Sequence, residues 1–194
     1  MRVAIVGGTG GFGRALAVRL HAAGVEVVIG SRDAQRAAEI AAEHGVGGAS
    51  NEDVCRGVDL AVLATKAEAA VDTARTLPLA SPLLSVASEL RSEELRSVAE
   101  RIADVVSVPV VAGLHSLAAA KLGEAAPDED VFICGDDADA KALALELAAQ
   151  IVVGRAVDAG PLRSARALEG MTAVLIAINK RYKTHAGLRI TGLQ

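Results

Sequence analysis

This chain has no tryptophan, one tyrosine and two phenylalanines among 194 residues. So few rings, Phe12, Phe132 and Tyr182, leave no aromatic platform for stacking nucleic-acid bases. A flat ligand would have to rest on aliphatic side chains or on a second ligand. Cysteine is equally scarce. Cys55 and Cys134 stand far apart and outside any CxxC or histidine-rich context, which argues against a disulfide framework and a zinc site. Both read as reduced structural residues, and no metal is expected. Hydrophobic residues make up 52% of the chain, yet no apolar run approaches the roughly 20 residues of a membrane span. A large excess of one charge sign is missing too: the net charge of −4 comes from interspersed acids and bases, so no nucleic-acid footprint is expected. With no charged leader and apolar segment ahead of the first strand, a cytoplasmic address is the expectation.

What is present is alternation. Apolar runs of strand length are expected at Arg2–Val6, Glu26–Ile29, Leu60–Ala64, Leu83–Val86, Val108–Ala112 and Val131–Cys134. Amphipathic stretches between them predict helices near 12–23, 33–44, 67–75, 91–102 and 137–150. That order is the signature of an α/β protein with a parallel sheet covered by helices on both faces. Gly24 and Gly45 fall where the first two helices should stop. Arg155–Asp158 reads as a last short strand, and "DAGPL" turns the chain into a final helix near 164–182. Leu168, Met171, Val174, Leu175 and Ile178 share one face of that helix. Packing on the parent domain and a subunit interface are both open for it.

In "GGTGGFG", Gly8, Gly10 and Gly13 fit GxGxxG at the end of the first strand and the start of the first helix. The spacing has a mechanical basis: the first glycine makes the turn, the second admits a pyrophosphate to the backbone, and the third packs helix on strand. Main-chain N–H groups at the helix start then hold the phosphate anion. Dinucleotide binding is the expectation, with a merely tight turn as the alternative.

The second strand selects the dinucleotide. NAD sites usually end this strand in Asp or Glu, which accepts from the ribose 2′-hydroxyl. Here "VVIGSRDAQR" places Ser31 and Arg32 there, with Arg36 one helical turn on. A hydroxyl and two guanidinium groups suit a 2′-phosphate, so NADP is expected. Asp33, one residue late, reads as the cap of the following helix. Ordinary solvated arginines are the alternative.

These segments, together with "DLAVLAT", "LHSLAAAKL", "VFICGDD", "DAGPLRSAR" and "INKRYKTHAGLRITGL", resemble the NADPH-dependent coenzyme F420 reductases, also called F420-dependent NADP oxidoreductases. The resemblance implies a Rossmann-like, doubly wound, mostly parallel sheet in residues 1–150 and a small C-terminal helical lobe in 151–194. It also implies an oxidoreductase that transfers hydride between NADP(H) and the deazaflavin coenzyme F420, its second substrate. Such transfer needs no protein acid or base when nicotinamide and deazaflavin rings are stacked, so no catalytic residue is expected, with His115 as a possible proton donor.

By the same resemblance, Thr9, Gly10, Gly11 and Phe12 hold NADP with Ser31, Arg32 and Arg36. Thr65, Lys66, Ser85 and Val86 border ribose and nicotinamide, and Gly113, Leu114 and His115 line the ring site, with Gly160 and Pro161 as further candidates. Coenzyme F420 carries a phosphate and a glutamate tail, for which Lys180, Arg181, Lys183, His185 and Arg189 could supply cations; those near the last turn of the helix also suit its dipole without a ligand. A homodimer through the last helix is the possible assembly.

Two segments differ from the family pattern. Lys66-Ala67-Glu68 stands where relatives have a proline and a bulky aromatic, and "SVASELRSEELRS" is expected to run almost directly into a helix. Two alternatives therefore stay open: an NADPH-dependent reductase of another acceptor (flavin, ferric chelate or imine), and a non-catalytic NADP-sensing protein.

Overall fold

The computed structural model describes residues 1–90 and 94–193. Eight strands form one sheet: β1 (Arg2–Val6), β2 (Glu26–Ser31), β3 (Gly47–Ser50), β4 (Leu60–Leu63), β5 (Leu83–Ser85), β6 (Val110–Gly113), β7 (Val131–Gly135) and β8 (Ala156–Asp158). Their spatial order is β3-β2-β1-β4-β5-β6-β7-β8. The first six run parallel, β7 is antiparallel to β6, and β8 is parallel to β7. The helices are α1 (Gly11–Ala22), α2 (Ala34–Glu43), α3 (Asn51–Val54), α4 (Ala67–Thr76), α5 (Val98–Ala103), α6 (Ala119–Glu124), α7 (Ala138–Ile151) and α8 (Ala165–Tyr182). This is the mostly parallel, doubly wound Rossmann-like sheet expected, and a C-terminal helix is present.

Side-chain alternation along each strand builds two cores. Val3 and Ile5 of β1 face one side with Leu16 and Leu20 of α1, Leu122 of α6 and Leu147 of α7. Ala4 and Val6 face the other with Ala70 and Ala74 of α4, Ile102 of α5 and Leu168 of α8. The chain steps outward from β1 through β2 to β3 and then crosses back to place β4 on the other side of β1, so a crevice opens above the C-terminal ends of β1 and β4, the switch point at which such sheets bind ligands.

The expected helix at 91–102 is corrected. Residues 91–93 lie outside the described residues, 94–97 are not helical, and α5 begins only at Val98. Ser97 fixes that start: its Oγ accepts from Glu100 N at 3.1 Å while Glu100 Oε2 accepts from Ser97 N at 2.8 Å, a capping box. From the facing helix α8, the buried Glu169 carboxylate also accepts from Val98 N at 2.8 Å. Of the chain between β5 and α5, residues 86–90 and 94–97 are non-helical, so the helix starts later than the sequence suggested. Reading the periodicity also passed over β3, α3 and α6, all of four to six residues.

Residues 151–194, expected as a small lobe packed on residues 1–150, include β8, which lengthens the same sheet, and α8, which packs on α5 and β6. Leu168 and Leu175 are buried, while Val174 (58% exposed) and Ile176 (48%) face outward. After α8 the chain returns to Glu129 and Asp130, just ahead of β7. Asp130, fully buried, accepts from Arg155 Nη2 at 2.6 Å and from Ile190 N at 2.8 Å, and its own N–H donates to Leu188 O. The Arg155 guanidinium and these N–H groups hold the Asp130 carboxyl well below the usual carboxylate range. Among the described residues, no helix is long and apolar enough to cross a membrane.

Candidate coenzyme cleft and ring pocket

The glycine loop is built by two different constraints. A Cβ on Gly8 would lie 2.7 Å from Ile29 Cβ, and one on Gly13 2.7 Å from Gly8 Cα, so packing itself demands those glycines. Gly7, with φ +73°, makes the left-handed turn out of β1. Gly10 and Gly11 are otherwise: a Cβ on Gly10 would meet only Gly7 O at 3.5 Å, and one on Gly11 nothing within 4 Å. Packing within the described residues does not require glycine there, and the bare backbone leaves the start of α1 open to close approach by a ligand. That helix start has no side-chain cap and no acidic residue in its first turn. Its first N–H groups and the positive end of its dipole are therefore available to an anion.

At the end of β2, Asp33 accepts from Arg36 N at 3.1 Å and caps α2. The carboxylate that could have marked an NAD site is turned to the helix. Ser31, Arg32 and Arg36 line the same cleft as Gly7, Thr9 and Gly10, and among the described residues no carboxylate pairs with either guanidinium. The cleft has a volume of about 900 Å³ and continues past Ala64, Thr65 and Lys66. This donor set and these bare amides fit a dinucleotide carrying a 2′-phosphate.

A smaller pocket of about 210 Å³ adjoins it, sharing Ala64, Thr65 and Lys66 and walled by Phe12, Val86, Leu114, His115 and Thr172. The buried Thr65 hydroxyl at the junction has no hydrogen-bond partner in the protein. His115 is buried, and desolvation pulls its pKa down to about 4, so the ring is neutral near pH 7. Its Nε2 lies 3.3 Å from Ala87 O; the proton assigned to that nitrogen leaves Nδ1, which has no partner, as an acceptor. Leu114 adopts φ +64°, a strained conformation for a side-chain-bearing residue, next to the pocket. Thr172 of α8 holds this turn, its Oγ1 donating to His115 O at 2.9 Å and lying 3.1 Å from Ser88 Oγ.

The fold brings most sequence-expected positions together: Thr9, Gly10, Ser31, Arg32, Arg36, Thr65 and Lys66 in the cleft, and Phe12, Val86, Leu114 and His115 in the pocket. Others lie apart. Ser85 is fully buried at the end of β5, and Gly113 owes its missing side chain to β7, since a Cβ would lie 2.5 Å from Phe132 O. Gly160 and Pro161 are at the opposite end of the sheet, because antiparallel β7 carries Gly135 back to Val111 and Gly135 N donates to Gly160 O. Arg189 pairs with Asp128 at 2.7 Å, and Lys180, Arg181, Lys183 and His185 are exposed. Cys55 and Cys134 are buried and free, and burial pushes their thiols up to about 11 and about 12.

Among the lining residues that escaped the sequence reading are Thr172 and Asn51. Thr172 lies on a helix read only for its apolar face. Asn51, whose Oδ1 accepts from Gly7 N at 3.1 Å, follows the unrecognised β3. The Ser50-x-x-Asp53 spacing, a helix-start signal, was the available clue: Ser50 Oγ accepts from Asp53 N at 3.1 Å.

Comparison with known proteins agrees with this geometry. A family model described as "NADP oxidoreductase coenzyme F420-dependent" matches residues 2–90. An F420-dependent NADP reductase from Methanothermobacter thermautotrophicus is 33% identical, the match covering all of this chain and 96% of that protein. One of the same name from Methanothermobacter marburgensis is 35% identical over all of this chain and 99% of that one. Among solved structures, a protein provisionally assigned as an F420-dependent NADP reductase from Arthrobacter superposes with a TM-score of 0.84 at 28% identity, covering 98% of this chain and 99% of the other. An imine reductase from Aspergillus terreus shares the fold with a TM-score of 0.70 at 18% identity, covering 94% of this chain and 62% of that one.

Proposed function

This chain belongs to the family of coenzyme F420-dependent NADP oxidoreductases, and from that membership we propose that it transfers hydride reversibly between NADP(H) and coenzyme F420. The observation that carries the reading is the junction at Ala64, Thr65 and Lys66, where a cleft suited to a phosphorylated dinucleotide opens into a pocket beside Phe12, Leu114 and His115.

The bare amides from Thr9 to Gly13 take the diphosphate, and Ser31, Arg32 and Arg36 take the 2′-phosphate. Thr65 and Lys66 orient the nicotinamide ribose, and Val86, Leu114 and His115 form the wall of the ring pocket. The two bound coenzymes supply the hydride chemistry themselves, between nicotinamide C4 and the deazaflavin C5. The protein's part is to position and to exclude water. Neutral His115 offers Nδ1 as an acceptor, which favours a hydrogen-bonding wall residue over a proton donor.

The remaining expectations are proposals on the same basis. Residues 1–150 serve the dinucleotide, and 151–194 close the ring pocket through Thr172. The outward Val174 and Ile176 of α8 offer a surface for a second copy. Lys180, Arg181, Lys183 and His185 serve the anionic tail of coenzyme F420, Arg189 being engaged by Asp128. The protein works in the cytoplasm.

The deciding experiment mixes purified protein with NADPH and oxidised coenzyme F420, with free FMN as control. Loss of deazaflavin absorbance only in the complete mixture supports the proposal. Bleaching with FMN and none with the deazaflavin moves the activity to another acceptor, and NADPH binding without any reduction points to a sensor.

A further inference from the structure

Asn51 is held more firmly than an ordinary cleft residue. The parallel register of β3 on β2 sets Ser50 opposite Ser31, and Ser50 caps α3, so Asn51 begins that helix directly beside Arg32. It lies over β2: a Cβ on Gly30 would be 2.8 Å from Asn51 Oδ1 and 3.1 Å from Asn51 Cα. Its Oδ1 accepts from Gly7 N at 3.1 Å, across the end of β2.

This bond fixes which way the amide points. A backbone N–H can be met only by the oxygen, so the Nδ2 group takes the other side. Among the described residues no acceptor takes Nδ2, and Asn51 lines the cleft with Ser31 and Arg32, between the glycine loop and the two arginines. The acceptor half of the side chain is consumed by the loop, and the donor half is left to the ligand.

The geometry points to Asn51 as a specificity-determining residue that favours NADPH over NADH, because it presents a donor and withholds an acceptor where the adenosine ribose and its 2′-phosphate lie. A phosphate oxygen accepts a charge-assisted hydrogen bond from Nδ2. A 2′-hydroxyl, which NAD sites satisfy with an acidic acceptor, finds none on Asn51. The inference rests on the placement of NADP(H) along the glycine loop proposed above.

Asn51→Asp separates the two halves. One carboxylate oxygen still takes Gly7 N–H, while the other replaces the donor with an anion. Calorimetric titration of the full chain with NADPH and with NADH reads the result. For Asn51→Asp we expect NADPH to bind tenfold or more weakly and NADH to bind unchanged or more tightly. Asn51→Ser, which keeps a small hydroxyl without the amide donor, lowers the NADPH-to-NADH preference in the same direction and serves if the Asp variant does not fold. Equal weakening of both coenzymes, or an unchanged preference in a folded variant, overturns the inference and leaves Asn51 as a brace of the loop. Wild-type protein that binds neither coenzyme overturns the placement on the glycine loop, and this inference with it.

Discussion

Thr172 Oγ1 donates to the carbonyl oxygen of His115 at 2.9 Å. Through that bond the last long helix secures the turn after β6, where Leu114 is held at φ +64°. Strain of this kind persists only where surrounding structure over-determines it, and the Thr172 hydroxyl, also in contact with Ser88, is part of that determination.

Thr172→Val removes the donor and keeps the shape, leaving a buried carbonyl unsatisfied. The expected cost is about 1–3 kcal/mol of stability by urea unfolding. With the turn loosened, KM for coenzyme F420 should rise while the NADPH dissociation constant stays as it was. A rise in the NADPH constant alone would place Thr172 in the wrong half of the site.

Arg32→Ala should weaken NADPH binding by about 1–3 kcal/mol, the range for a lost charge-assisted contact, and change NADH binding little. The comparison of the two coenzymes is the measurement. Equal losses would mean that the guanidinium serves adenine or bulk charge, and the 2′-phosphate would then fall to Ser31 and Arg36.

How far the sequence carried the fold depends on segment length. Strands such as Arg2–Val6 and Val131–Gly135 are fully buried or nearly so, and read as unbroken apolar runs. β3, with sequence GGAS, has no apolar residue beyond Ala49 and is a strand only because β2 pairs with it. Its loss hid Asn51. The direction of β7 was equally illegible, since a buried strand has the same composition whichever way it runs; Gly160 and Pro161 were misplaced for that reason. The helix expected over 91–102 is not helical at the described residues 94–97, because the capping box at Ser97 and Glu100 sets the start at Val98, a local signal that charge spacing does not carry. The glycine loop was the most legible part, as its constraints are local backbone geometry.

Asp130→Asn should destabilise the protein at neutral pH, because it removes the anion that Arg155 Nε, Arg155 Nη2 and Ile190 N share as acceptor. The carboxyl is held below its unfolded value, so its contribution is present above the unfolded pKa and is lost as pH falls through the folded one. Hydrogen exchange at Ile190 N, which donates to Asp130 Oδ2, reports the release of the C-terminal segment. Unchanged protection there in the variant would show that Arg155 and Leu188 hold the segment without the carboxylate.

Two buried groups tilt stability in opposite senses. Burial lowers His115 from 6.5 to about 4, so the unfolded chain takes up a proton that the native protein refuses, and stability is lost as pH falls from 6.5 toward 4. Burial raises Glu169 from 4.5 to about 7, against the N–H groups of Ala99 and Val98 and the nearby Arg166 and Arg101. The native protein then keeps a proton that the unfolded chain releases, so this contribution is complete below 4.5 and disappears as pH rises through about 7. Between 4.5 and 6.5 the two slopes oppose each other, and the wild type should change little from these groups. Glu169→Gln, which keeps an acceptor for Val98 N, should expose a rise of up to about 1.4 kcal/mol per pH unit across that window. His115→Asn should expose a fall of similar steepness, extending to about pH 7. Urea unfolding of the three proteins at a series of pH values measures both; variants that track the wild type in parallel would mean that neither group is desolvated in the native protein.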